Sequence, residues 1–300
     1  MSILRTSILL LSVAVLALPA AAQAAPSTYQ QFEAKLIGKA GSAKKPGSVG
    51  TYLHPFHVIK QDPSCAAAPN LAACRTNTFG LNSVAGGALA EPSFATVTAT
   101  IFLPKELKLA TTGFPTCSYE NVFDAQNAKL CPKGSMIGAG EAQGYVRSPS
   151  NTTGAYVVVV KPEVKVFILD GKNTIALRVY SSLSKTAIIP GVIKKTSGSN
   201  AKQYGSQIDF SLPKGLIDVS GLISQLSTFD STIKAAKNKS GKPLQGLTGC
   251  PKNRKLTFGY QAQYNVGLDR TTAPFYIASG AQYSINHVSP IMTSVVPCKK

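Results

Sequence analysis

The side chains able to do chemistry are sparse, so their spacing decides what they can form. His54 and His57 stand three apart in TYLHPFHVIK. On a strand that spacing sends them to opposite faces, and Pro55 between them opposes a helix, so one metal ion does not take both. The six cysteines lack the paired short spacings of a zinc site, and no metal or cofactor is expected. No G-x-S-x-G elbow occurs. Ser-x-x-Lys occurs at Ser42, Ser182, Ser199, Ser211 and Ser231, without the Ser-Asp-Asn and Lys-Thr-Gly companions of penicillin-recognising enzymes. The 13 acids are scattered, and no pattern sets two of them across a cleft as a glycosidase requires. Asp170-Gly171-Lys172-Asn173 is too short for a calcium loop and carries a lysine, so it reads as a hairpin turn. GAGEAQG from Gly138 to Gly144 is like a dinucleotide loop only on the surface, since no apolar strand runs into it and β sequence follows. The lack of tryptophan weakens a sugar-stacking role, although 11 tyrosines keep it in view.

Two chemistries remain, thiol oxidation and charge. Six cysteines are an even number, and in an oxidising compartment the expectation is three disulfides: Cys65–Cys74, Cys117–Cys131 and Cys250–Cys298, pairing neighbours in sequence or closing a terminal strand. The formal net charge is +18, carried by 31 basic residues against 13 acidic. Lysine supplies most of it. A lysine is a compact hydrated charge, whereas arginine's planar fork is the usual reader of phosphate and base edges, so loose attraction to polyanions is expected and specific nucleic-acid recognition is not. The clusters that would supply it are Lys39, Lys44 and Lys45; Lys194, Lys195 and Lys202; the run from Lys234 to Lys242; and Lys252, Arg254 and Lys255. Anionic cell-wall polymers or acidic extracellular partners are the expected ligands.

These groups have to be positioned by a β framework. Residues 1–24 carry Arg5, an apolar run from Ile8 to Leu18 and small residues ending at Ala24, the layout of a cleaved signal peptide; the run is too short for a transmembrane anchor. Residues 25–300 are expected to form one all-β domain, a mainly antiparallel β-sandwich, Ig-like or jelly-roll-like, with one or two short helices; 185–202 is where two sub-units would divide. Phe94 to Leu103 alternates most cleanly, with Ala95, Val97, Ala99, Ile101 and Leu103 on one face and Thr96, Thr98 and Thr100 on the other. Strands are also expected at 29–37, 157–160, 164–169, 174–180, 203–212 (Tyr204, Ile208, Phe210 and Leu212 sharing a face), 255–264, 275–277 and 281–285. Pro190-Gly191 should break 188–193, and 220–237 reads as a bulged strand. Ser118 should cap a helical turn held against the sheet edge. LPK recurs at Leu103 and Leu212, and CPK at Cys131 and Cys250, as at equivalent corners of one sandwich.

The segments KAGSAKKPGSV, LPKELKL, FPTC, CPKGSMIGAGEA, GCPKN and VPC together resemble a family of secreted β proteins of high-GC Gram-positive bacteria that has no assigned activity. The resemblance implies an extracellular β-sandwich and brings no catalytic residues. Two functions follow as expectations: a secreted, non-enzymatic, envelope-associated protein that adsorbs to anionic wall polymers, or a secreted hydrolase of an extracellular polymer whose site no local motif reveals.

Overall fold

A computed structural model describes residues 30–57, 94–124, 127–147, 158–181, 185–219, 222–266, 285 and 287–300. The expected signal peptide, Cys65, Cys74 and the strand at 275–277 lie outside them, as does most of the strand at 281–285.

The described strands are β1 (Gln30–Ile37), β2 (Gly47–Ser48), β3 (Gly50–His57), β4 (Phe94–Pro104), β5 (Leu107–Leu109) and β6 (Met136–Arg147). They continue with β7 (Val158–Val160), β8 (Glu163–Ile168), β9 (Thr174–Ser181), β10 (Lys185–Lys195), β11 (Tyr204–Ser211) and β12 (Asp218–Val219). The last are β13 (Leu222–Phe229), β14 (Ser231–Ile233), β15 (Gln245–Leu247), β16 (Lys255–Val266), β17 (His287–Val288) and β18 (Met292–Pro297). Two short helices, α1 (Tyr119–Phe123) and α2 (Lys214–Ile217), join them. The described chain is all-β, mainly antiparallel and sandwich-like.

One sheet runs β1, β3, β13 with β14, β6, β8, β9, β10, β11, β4, β16, β18. Its edges then meet: the Ala34 amide donates to Ser294 Oγ of β18 at 2.9 Å, and the Ala40 amide donates to the Lys299 carbonyl at 2.8 Å. The layer of β1, β3, β13, β14 and β6 therefore faces that of β10, β11, β4 and β16 over one core, where Phe32 stacks on Tyr260 with ring centroids 5.8 Å apart. Alternation builds this core. Leu256, Phe258, Tyr260, Ala262 and Tyr264 of β16 all point inward and are buried, each large apolar side chain contributing roughly 1.5–3 kcal/mol. A small second sheet, β2-β15-β5, sits at one end.

The expected turn at Asp170 is present: β8 and β9 pair from Ile168↔Ile175 outward, with Gly171 and Asn173 at positive φ. Ser118 caps α1 by accepting from the Asn121 amide at 3.3 Å. The helix lies on the outer face of the sheet and not at its edge, because Cys117 and Val122 pack with Phe167, Leu169, Ala176 and Ile188 of β8 to β10. Gly138 and Gly140 are sites of close approach, since a Cβ on either would fall within 2.4 Å of the β14 side's carbonyl oxygens at Thr232 and Asp230. Within the 220–237 segment the described residues form two strands, β13 and β14, the first bulged where the register shifts between Leu226 and Thr228, and 234–237 leaves the sheet as a loop.

Three further expectations are corrected. β10 runs through Pro190: β11 pairing begins at Gly191↔Phe210, so Pro190 is paired only with β9 and its missing donor breaks no second ladder. In β4 the register slips between Gln263↔Thr98 and Tyr264↔Thr96, leaving Val97 as an extra residue. That bulge exchanges the faces, so Thr96 turns into the interior while Ala95 and Val97 leave the central core, still buried. A second slip between Tyr204 and Ser206 separates Tyr204 from Ile208, Phe210 and Leu212; its ring packs on the outer face against Phe102, centroids 5.0 Å apart. Both disulfides among the described residues are as expected, Cys117–Cys131 and Cys250–Cys298, with Cα atoms 5.1 and 5.6 Å apart.

Candidate functional site

The charged loops are placed by strand ends. Around the sheet, Ile37↔Gly50, Thr51↔Ile233, Ile233↔Gly138, Met136↔Phe167, Ile168↔Ile175, Thr174↔Val192, Lys195↔Ser206 and Tyr204↔Pro104 all lie at one rim. Lys255↔Pro297 completes it. The loops 38–46, 196–203 and 249–254 and the C-terminal 298–300 thus leave the same pole of the molecule. All nine cations of the first, second and fourth sequence clusters sit there.

Each loop is held by local chemistry. In the first, the Ser42 amide donates to the Lys45 carbonyl at 2.9 Å and the Lys45 amide to Ser42 Oγ at 3.1 Å. A Cβ on Gly41 would lie 2.1 Å from the Lys45 carbonyl oxygen, so the tight KAGSAKKPG turn requires glycine there. The result is that Lys39, Lys44 and Lys45 stand in solvent. Its amides at Ala40 and Gly41 bond to the carbonyls of Lys299 and Leu247, tying the loop to the chain's end and to the small sheet. In the last cluster the Arg254 amide donates to the Pro251 carbonyl at 2.9 Å and the Lys255 amide to Asn253 Oδ1 at 3.0 Å, and Arg254 takes a positive φ of 53°. Lys252, Arg254 and Lys255 are consequently exposed, and the Cys250–Cys298 bridge brings Lys299 and Lys300 beside them.

The 234–243 loop joins this pole, since it follows the Ile233 end of β14 and leads through Leu244 into the small sheet. Its Asn238 Oδ1 accepts from the Ser240 and Lys242 amides, leaving Lys237, Lys239 and Lys242 at the surface. The turn after β4 adds Lys105 and β5 adds Lys108, which the sequence clusters did not include because each is a lone lysine, Lys105 between Pro104 and Glu106 and Lys108 between two leucines. Glu106 lies among them, whereas Glu33, Glu141, Glu163 and Asp230 sit farther along the strands.

Lys194 differs from the rest. Its ammonium pairs with Asp209, which also accepts from Thr100 Oγ1 at 2.9 Å and Gln207 Nε2 at 2.8 Å. Thr98 Oγ1 donates to Gln263 Oε1 at 2.6 Å alongside. Together these side chains line a polar hollow of about 310 Å³ on the outer face of β10, β11, β4 and β16. Lys195 and Lys202 are exposed beyond it, at the rim.

His54 is not at the pole. It lies on the outer face of β3 between Tyr52 and Phe56, stacked on Phe56 at 4.7 Å, with Nε2 2.7 Å from Thr228 Oγ1. Burial pushes its pKa down, against the opposing pull of Asp230 and Glu33. Among the described residues no three His, Cys, Asp or Glu side chains gather as a metal would need, and no helix is long and apolar enough to cross a membrane. No protein-family model, curated protein or solved structure matches this chain.

Proposed function

We propose that this is a secreted, non-enzymatic protein of the cell envelope that adsorbs through its basic pole to anionic polymers of the wall. The observation that carries it is the convergence of Lys39, Lys44, Lys45, Lys195, Lys202, Lys252, Arg254 and Lys255 on one rim, from loops far apart in sequence. Disulfides fit an oxidising compartment, and the leader-like first 24 residues and the likeness to secreted β proteins point the same way. An excess of positive charge at one end concentrates polyanions, whereas the same charge spread evenly would serve solubility alone.

Lysine ammonium groups act as point charges screened over about 8 Å at physiological ionic strength, so the attachment is weak, tolerant of polymer sequence and sensitive to salt. Co-sedimentation with isolated cell walls tests this. Retention at low salt that disappears at high salt is expected, and reversing charge at Lys44, Lys45, Lys252 and Lys255 together should reduce retention by about tenfold or more. Absence of retention at low salt, or retention untouched by charge reversal, would overturn the proposal.

A further inference from the structure

The described residues leave space between the two layers. Two adjoining voids, of about 70 and 40 Å³, lie between the layers and share Ile189, Leu212, Leu226 and Phe229 as walls. One water needs only about 10–15 Å³, and close-packed interiors keep few spaces larger than that. The inner void is walled mainly by hydrocarbon, so water gains too few partners there to occupy it.

The voids follow one another along the strands. On β9 the inward residues Leu177, Val179 and Ser181 pass from the inner void to the outer, a run of about 13 Å at roughly 3.3 Å per residue. The inner end, at mid-sheet, is bounded by Ile101, Leu177 and Tyr260. The outer end lies at the pole opposite the basic rim, beneath α2, where Ile217 is buried and Leu216 half-buried. Among the described residues the aliphatic hydroxyls stand toward that outer end, on Thr96, Ser181 and Ser224, while the phenol of Tyr260 at the inner end is hydrogen-bonded to Gln30. Thr96 is there because the Val97 bulge turns it inward.

A slender space that is hydrocarbon at its inner end and hydroxyl-bearing at its outer end matches one kind of molecule. We infer that the interior binds a single-chain amphiphile, a fatty acid or similar lipid, with its hydrocarbon tail between Leu226, Phe229, Ile189 and Leu177 and its polar head at Thr96 and Ser224. This site is distinct from the basic pole, whose lysines are absent from its walls, so probe binding is expected at both low and high salt.

The test is binding of the fluorescent apolar probe N-phenyl-1-naphthylamine to the purified protein, followed by displacement with decanoate, palmitate and a two-chain phosphatidylglycerol. Saturable binding, displaced by the single-chain acids at both low and high salt, is expected. Ala142 and Ala99 face the outer and inner voids, so Ala142→Leu and Ala99→Leu fill them from two different strands. Each should weaken probe binding by about tenfold while leaving the melting temperature unchanged or higher, because the added methyl groups occupy empty space. Absence of saturable binding by the unaltered protein overturns the inference. So does binding that survives in whichever of the two variants folds, or displacement by the two-chain lipid as effective as by palmitate.

Discussion

Only a hydrogen atom fits on the inward side of Gly191. A Cβ there would lie 2.4 Å from the edge of the Phe210 ring and 3.1 Å from Ile175, so the ring lies directly on the backbone of β10. Gly191→Ala is therefore expected to destabilise the protein by about 1–3 kcal/mol through overpacking, read as a lower urea midpoint; an unchanged midpoint would mean the ring moves aside at no cost. His54 gives a second prediction at this scale. Burial, the largest influence, holds its pKa below the ordinary value of about 6.5, so near that pH the unfolded chain binds more protons than the folded one. The associated stability is fully present above about pH 6.5 and is lost as the pH falls through His54's lower folded-state pKa. Melting temperatures should decline over that acidic range, and His54→Gln should flatten the decline. A variant whose melting profile kept the same slope there would remove the assignment to His54.

At the scale of elements, the Cys117–Cys131 bridge and α1 form one device. The bridge spans a sequence separation of 14, and closing a loop of that size is worth roughly 3 kcal/mol on the chain-entropy model. It also keeps Val122 on the outer-face cluster of Phe167, Leu169 and Ile188. Replacing both cysteines by alanine should cost about 2–4 kcal/mol in denaturant and increase binding of an apolar dye as that cluster opens; equal stability would contradict it. This device could be read from the sequence, because Ser118 announces a cap and the two cysteines bracket a short loop. The strands were legible for the same local reason: β8, β9 and β16 alternate, and Asp170 to Asn173 is turn chemistry. The bulges at Val97 and Gly205 were not. An extra residue shows itself only against a partner strand, and the alternation of β4 read alone assigned Thr96 to the wrong face. Pro190 misled for a related reason, since proline opposes a paired strand but the missing pair on the β11 side is a property of the neighbour.

For the whole molecule, the basic pole was legible as four lysine clusters and invisible as one surface, because their convergence depends on strand register around the full sheet. The seam between β1 and β18 shows how long-range that register is: the Ala34 amide and the Ser294 hydroxyl are 260 residues apart. Contacts of such separation are slow to form. Deleting residues 292–300 would remove β18 together with Cys298 and Lys299, and the expected result is loss of cooperative thermal unfolding, whereas a sharp transition retained in that truncation would show the seam to be dispensable. The seam also imposes a sequence in time. The hairpin of β8 and β9 and the pairs of β1 with β3 and β10 with β11 can assemble as soon as their own residues are available, yet the enclosure stays ajar until the final strand arrives. Without β18 in place the interior lies open along one side, and the contact of Lys299 with Ala40 and the bridge from Cys298 to Cys250 are what hold that side shut.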